Sequence, residues 1–440
     1  MRYDYILVGG GAAGRSLALH LAHSPLAARR MLIIDPQPKT ENDRTWCFWA
    51  PDPTLYEPII HRRWNTLNFI SDDLALELDI SPYEYRVIRG IDFYRFTTEQ
   101  LTRCGVEFLQ ERVDAISEAE GTVTVSAGGR EYHADWAFDS RWDAVPYHGG
   151  VGGSAGSGAT SARAASDSGV ATGRDALAAN VPDPRYHYLQ QHFLGWVIRT
   201  EQPCFDTSRA TLFDLRTPQN GIFRFVYTLP FSETEAMCEY TIFSADLLPP
   251  HEYRNALDDY IQTYVGAAQS SADGSAGGQS ARNRSAVDEG AAIRYRIVEE
   301  EACVIPMTDE PFPRRGGNRV MRIGTRGGRV KASSGYAFLR IARDSAAIVR
   351  SLLETGQPFH GRVPPRRYNT FDSMLLQILH RNGDLGKRVF TDLFQKNPVQ
   401  RIFRFLDEEG SLSENLALMA TVPWWPFIRA WLKLRLGGRV

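Results

Sequence analysis

Tyr5 to Ala22 reads YILVGGGAAGRSLALHLA, and this stretch decides the fold. Tyr5 to Val8 is an apolar run of strand length, Gly9, Gly10 and Gly11 break it, and from about Ala13 to Ala22 apolar residues recur at helical spacing. A second apolar run, Met31 to Ile34, ends on Asp35. Strand, glycine turn, helix, and a second strand closed by an acidic residue form the βαβ unit that holds a dinucleotide. Within it Gly9-Gly10-Gly11-Ala12-Ala13-Gly14 fits GxGxxG. Gly9 permits the tight turn, Gly11 lets the backbone approach a pyrophosphate, and Gly14 lets helix and strand pack closely. The amides at the helix N-terminus, around Ala12 and Ala13, face the phosphate charge, and Asp35 accepts hydrogen bonds from ribose hydroxyls.

FAD and NAD share the half of the molecule that this fingerprint reads, so a later feature must separate them. Gly324-Thr325-Arg326-Gly327-Gly328 follows a strand at Val320 to Ile323 and precedes a helix. In folds that bind a single FAD, a late glycine loop of this kind returns to the flavin, so Gly324, Gly327 and Gly328 join the expected cofactor site. A helix starting near Ser334 and Gly335 would direct its positive end at the flavin ring.

The chain has 440 residues, enough for two domains or one large domain with additions. Its 50 basic and 52 acidic side chains nearly cancel, which leaves no electrostatic footprint for nucleic acid. No nucleic-acid partner is expected. The five cysteines lack any CxxC pair, so they suggest neither a disulfide framework nor a metal site and read as reduced cytosolic thiols. No apolar run approaches the roughly 20 residues that span a bilayer.

Two segments rich in Gly, Ser and Ala, His148 to Asn180 and Gly266 to Ala292, cannot bury enough apolar surface to offset their ordering entropy. They read as surface insertions that divide the chain. Between them Phe193 to Thr200, Ala210 to Arg216, Ile222 to Leu229 and Ala236 to Phe243 read as one antiparallel sheet. Later, Phe338, Ile341, Ala342, Ile348, Val349, Leu352 and Leu353 share a helix face, and helices follow to the end. The expected fold is α/β: a Rossmann-type FAD-binding domain from residues 1–145 and 293–360, an antiparallel β-sheet substrate domain at 181–265, and a helical C-terminal region at 361–440. Residues 146–180 and 266–292 are the insertions.

Asn42 to Trp49, NDRTWCFW, makes the reading specific, because it resembles a hallmark of the bacterial lycopene cyclases. YRVIRGIDFY at Tyr85 to Tyr94, FDSR at Phe138 to Arg141 and QHFLGW at Gln191 to Trp196 are similar to family segments in the same order. So are FVYTLPF at Phe225 to Phe231, EYTIFS at Glu239 to Ser244, IPM at Ile305 to Met307, IGTRGGRVKASSGYAF at Ile323 to Phe338 and NPVQRIFRFLDE at Asn397 to Glu408. One departure is Ala332, where the pattern has proline; its loss is expected to soften the turn.

The resemblance implies cyclisation of the linear ends of lycopene, or a related linear carotenoid, to β-ionone rings. It implies no net redox change, yet a requirement for reduced FAD with NAD(P)H as reductant. It also assigns proton transfer to the glutamate of the EYT-like segment, here Glu239. An alkene is a weak base and needs a strong, desolvated acid. Strand alternation puts Glu239 on one face with Met237, Thr241 and Phe243, an apolar setting that would hold its carboxyl protonated.

Arg44 and Thr45 are placed with the flavin, where Arg44 would offset flavin or phosphate charge; a surface salt bridge is its other reading. Trp46, Phe48 and Trp49 could line the substrate path, flank the flavin or be ordinary core. The stretch Leu416 to Leu434, interrupted by Pro423 and Pro426, sets Trp424, Trp425 and Trp431 beside Arg429 and Lys433. Such a mixture suits a membrane surface, on the cytoplasmic side, as well as it suits packing on the protein body. Two other functions share the fingerprint: a flavin-dependent reductase or monooxygenase of a polyprenyl substrate, which would consume NAD(P)H stoichiometrically, and a carotenoid-carrying flavoprotein.

Overall fold

The computed structural model describes residues 1–142, 183–265, 293–361 and 365–436. The two segments of low complexity lie outside the described residues.

The opening apolar run forms the strand Arg2–Val8, and the glycine turn leads into the helix Ala12–Ala22. Strand order in the first sheet is Glu107–Leu109, Met31–Ile34, Arg2–Val8, Arg130–Asp139, Thr122–Ala127, Val113–Ala119, with Val320–Arg322 added beside Arg130–Asp139. The pairings from Glu107–Leu109 through Arg130–Asp139, and on to Val320–Arg322, are all parallel. Parallel strands are buried on both faces, which is why Met31–Ile34 is buried at every position. Leu17 and Leu21 of the first helix share a core with Ile341 and Ile348 of the helix Phe338–Thr355. That late helix buries the expected face except Leu353, which is 45% exposed. It also starts at Phe338 instead of near Ser334 and Gly335, because Gly335 has φ +72°, outside helical geometry.

The second sheet runs Tyr295–Thr308, Tyr188–Thr200, Glu235–Ser244, Phe223–Ser232, Ala210–Asp214, Thr66–Ser71, Leu74–Asp79. Its boundaries depart from the expected division twice. Thr66–Ser71 and Leu74–Asp79, placed by sequence in the nucleotide domain, extend this sheet through a parallel pairing with Ala210–Asp214. Tyr295–Thr308, likewise assigned to the nucleotide domain, pairs along its whole length with Tyr188–Thr200. It is an edge strand whose acidic run Glu299 to Glu301 suits that position, since charge on an edge discourages pairing with another chain. A third, three-stranded sheet orders Thr45–Ala50, Glu84–Arg89 and Arg62–Trp64 between the other two.

Five helices end the described chain: Arg366–Arg381, Gly383–Lys396, Val399–Leu406, Leu412–Met419 and Trp424–Arg435. The C-terminal stretch breaks once, between Met419 and Trp424. Pro426 sits in the first turn of the last helix, where its missing N–H has no intrahelical partner to lose. No helix among the described residues is long and apolar enough to cross a membrane.

Candidate active site

The glycine fingerprint and the late loop meet. Gly9 has φ +103°, a conformation open mainly to glycine, and a Cβ on it would lie 2.3 Å from the Ser140 Oγ. A Cβ on Gly14 would lie 2.0 Å from the Gly9 carbonyl oxygen, so only glycine permits this approach of helix to strand. A Cβ on Gly11 would meet nothing within 4 Å. Gly11 caps the first helix without a side-chain hydrogen bond, and no acidic residue lies in its first turn, so no side chain caps the amides at Ala12 and Ala13. Uncapped amides beside an open glycine fit a pyrophosphate.

Asp35 lies beside this turn, where its Oδ2 accepts from the Gly10 amide at 2.6 Å. Gly324, with φ +60°, lies so close to Ala13 that a Cβ on it would come within 2.7 Å of the Ala13 methyl. Gly324–Gly327 forms a single 3-10 turn closed by Gly328 at φ +70°. Ser140, the serine of the FDSR segment, donates to the Val8 carbonyl at 2.9 Å and so ties the end of Arg130–Asp139 to the fingerprint.

Arg44 and Thr45 lie elsewhere, at the junction of the third sheet with the second. The Arg44 carbonyl accepts from Gly90 N–H at 2.6 Å, the Asp43 carboxylate accepts from the Tyr94 hydroxyl at 2.9 Å, and the Thr45 N–H donates to Glu301 at 3.0 Å. The NDRT segment therefore pins the helix Gly90–Arg103 to the edge strand Tyr295–Thr308.

Alternation sorts the aromatic segment after it. Trp46 and Phe48 turn to the nucleotide side, each with its ring about parallel to Phe338 at 5.3 Å. Cys47 and Trp49 face the second sheet and line a pocket with Tyr336 and Phe338 at the start of the late helix. Trp49 stacks on Phe403 at 4.5 Å and donates its indole N–H to Asp407 at 3.1 Å. Phe48 and Trp49 are buried, 2% and 3% exposed.

Glu239 is half-buried. Met237 and Phe243 on its face belong to a core with Tyr85, Phe225 and Tyr227. The Thr241 hydroxyl donates to its Oε1 at 2.6 Å. Burial pushes the Glu239 carboxyl up to about 8; the Thr241 hydrogen bond opposes this and the nearby Glu301 adds to it. Tyr227, the cross-strand neighbour of Glu239, joins Tyr85 and Tyr336, with the Tyr85 hydroxyl 2.5 Å from that of Tyr227 and 3.0 Å from that of Tyr336. Burial raises all three phenols, so they are neutral. Burial likewise pushes the Cys47 thiol up to about 12. The arrangement therefore sets a neutral carboxylic acid beside uncharged aromatic and thiol groups.

The turn at Ala332 is not loose. Lys331 N–H donates to the Tyr336 carbonyl at 3.0 Å and Gly335 N–H to the Lys331 carbonyl at 2.8 Å. The Lys331 ammonium, 1% exposed, bridges Asp372 at 2.8 Å and Glu408 at 3.0 Å. Backbone hydrogen bonds and a buried cation fix what a proline would otherwise stiffen.

This fold is a Rossmann-type flavoprotein fold shared with solved FAD-dependent enzymes. It resembles a geranylgeranyl bacteriochlorophyll reductase-like protein from Thermoplasma acidophilum at TM-score 0.55 and 11% identity, over 97% of this chain and 98% of that one. A flavin-dependent brominase aligns at TM-score 0.55 and 12% identity, over 96% and 98% of the two chains. A flavoprotein/dehydrogenase from Cytophaga hutchinsonii aligns at 0.53 and 12%, over 99% of each. At such identities the likeness shows the fold. The chain belongs to the lycopene cyclase family, whose sequence model, described as lycopene cyclase protein, matches residues 4–271 and 280–432. Comparison with curated protein sequences gave no match.

Proposed function

We propose that the protein is a lycopene β-cyclase, an isomerising enzyme that closes the linear ends of lycopene or a related carotenoid into β-ionone rings. The observation that carries this reading is Glu239: a half-buried residue whose carboxyl burial pushes up to about 8, on a sheet face beside Tyr227 and a core of neutral aromatic groups. Glu239 protonates the terminal double bond of the substrate. A cation forms, the neighbouring double bond attacks it, and loss of a proton completes the ring without net oxidation or reduction. Tyr85, Tyr227 and Trp49 present electron-rich surfaces to the cation and keep water from it. Gly9, Gly11, Ala12, Ala13, Gly14 and Asp35 hold the adenosine diphosphate half of FAD, and Gly324, Gly327 and Gly328 bear on the remainder. Arg44 and Thr45, apart from the fingerprint and beside Gly90 and Glu301, would meet the flavin end of the cofactor. When bound and reduced, with NAD(P)H as the source of electrons, FAD supplies a negatively charged ring that favours nearby positive charge.

Lycopene resides in membranes, and the last helix is suited to collecting it there. Trp424, Trp425 and Trp431 are 63%, 56% and 40% exposed, with Ile428 and Leu432 exposed beside them and Arg429, Lys433 and Arg435 in the same helix. Apolar rings beside cations match the interface of an anionic leaflet. Expression in a lycopene-making host, followed by chromatography of the pigments, tests the activity. Cyclised product is expected; lycopene left intact, or a reduced or oxygenated pigment formed with one NAD(P)H per product, would replace the cyclase with the carrier or reductase reading.

A further inference from the structure

Four strands of the second sheet set their residues in one transverse row. Tyr227 pairs with Glu239, Glu239 with Gly195, and Gly195 with Glu301. Neighbouring strands lie about 4.8 Å apart, so the two glutamates stand roughly 10 Å apart at the backbone, on the same face. Gly195 adds no side chain between them. A Cβ there would lie 2.9 Å from the Met237 Cε and 3.5 Å from the Cβ of Glu239. The floor between the carboxyls is therefore bare backbone and one thioether methyl, a group that adapts readily to a guest. Glu300 turns to the opposite face, where it accepts from the Trp196 indole at 2.9 Å and pairs with Arg254 at 2.8 Å.

The two carboxyls are held differently. Glu239 has one hydroxyl donor, whereas Glu301 accepts the Thr45 backbone N–H and feels the positive charge of Arg44. Burial raises Glu301 as well; its Thr45 hydrogen bonds and Arg44 oppose that rise, and Asp43 adds slightly to it. Of two neighbouring carboxyls so placed, the one with the N–H and the cation ionises first, and the one in the apolar setting keeps its proton.

We propose that Glu301 is the base that completes the ring, and that it thereby decides which ring isomer forms. The inference rests on the cyclase reading above. Glu239 gives its proton to the terminal alkene carbon and becomes a carboxylate. Ring closure moves the positive charge to the ring carbon that bears the methyl group. The Glu301 carboxylate then takes the proton from the adjacent ring carbon that carries the polyene chain, and the C–H electron pair becomes the ring double bond of a β-ring. Transfer of one proton from Glu301 back to Glu239, directly or through solvent, resets the pair. Removal of a proton from the methylene on the other side, or from the methyl group, would give a ring with its double bond elsewhere, so the position of the base selects the product.

The test uses the full-length protein with FAD, reduced anaerobically, acting on lycopene in liposomes, with products separated by double-bond position. Glu301→Gln is expected to keep its flavin, to turn over at least ~100-fold more slowly, and to spread its residual product over rings other than β. Wild-type rate with β-rings only, or a defect cured fully by added FAD, would overturn the proposal. Should that variant not fold, Glu301→Asp is read the same way: a carboxylate withdrawn by one methylene is expected to slow turnover and mix the products, and wild-type behaviour would overturn the proposal. If the wild-type protein forms no ring at all, the cyclase reading falls and takes this inference with it; rings formed equally well without Glu301 leave that reading intact.

Discussion

The Thr241 hydroxyl donates to the Glu239 carboxyl at 2.6 Å from two residues along the same strand, and it holds the acid below the value that burial alone would impose. Thr241→Val should therefore raise the Glu239 pKa further. On the proposal that protonated Glu239 is the reactive form, wild-type activity should fall as pH rises through about 8, and the variant's alkaline limb should lie higher. Initial rates across pH check this; an unmoved limb would show that another group controls it.

The same shift has a stability consequence of definite sign. The folded state holds the Glu239 proton where the unfolded carboxyl, at about 4.3, has lost it. Between that value and about 8 the native state binds more protons, so this group's contribution to stability declines as pH rises. Glu239→Gln removes the slope. Its melting temperature should gain on the wild type between pH 5 and pH 9, as thermal unfolding at both pH values will show.

The two fingerprint glycines should fail in different ways. Gly11 faces open space, so Gly11→Val should fold and lose FAD. Gly14 meets the Gly9 carbonyl, which is backbone and cannot give way, so Gly14→Val should unfold or misfold. Circular dichroism and flavin absorbance separate the two outcomes.

Much of this was legible in the sequence, and the reasons are local. GGGAAG announces itself because turn, helix start and phosphate cradle need glycine at fixed places. The face of Glu239 followed from alternation with Met237, Thr241 and Phe243. Thr66–Ser71 and Leu74–Asp79 were not assignable, since strand alternation shows that a strand exists and says nothing of its distant partner, here Ala210–Asp214. Glu301 was hidden in the run Glu299 to Glu301, whose members part company only when the edge strand is in register. The late helix starts at Phe338, beyond the expected Ser334 and Gly335, because the positive φ of Gly335 excludes it.

Lys331 is the keystone of the junction between the late loop and the C-terminal helices, bridging Asp372 and Glu408 out of solvent. Lys331→Met would leave two buried carboxylates with Arg340 as the remaining cation on Glu408. A loss of about 3–5 kcal/mol is expected, measured by denaturant unfolding.

Replacing Trp424, Trp425 and Trp431 with Ser should lower partition into anionic liposomes while flavin content stays unchanged. High salt should weaken the binding of both proteins, since part of the attraction is electrostatic. Equal partition before and after substitution would assign the exposed rings another role.

The most direct test of the central claim is cyclisation in heavy water by the wild type and Glu239→Gln, with mass spectrometry and NMR locating the label. If Glu239 is the acid, the wild-type product carries deuterium at the ring carbon that was the protonated terminus. Deuteride supplied on NAD(P)H in ordinary water does not appear there. Glu239→Gln, with its FAD bound and reducible, forms no ring. Rings made at the wild-type rate by Glu239→Gln would contradict the account and move the acid to another group.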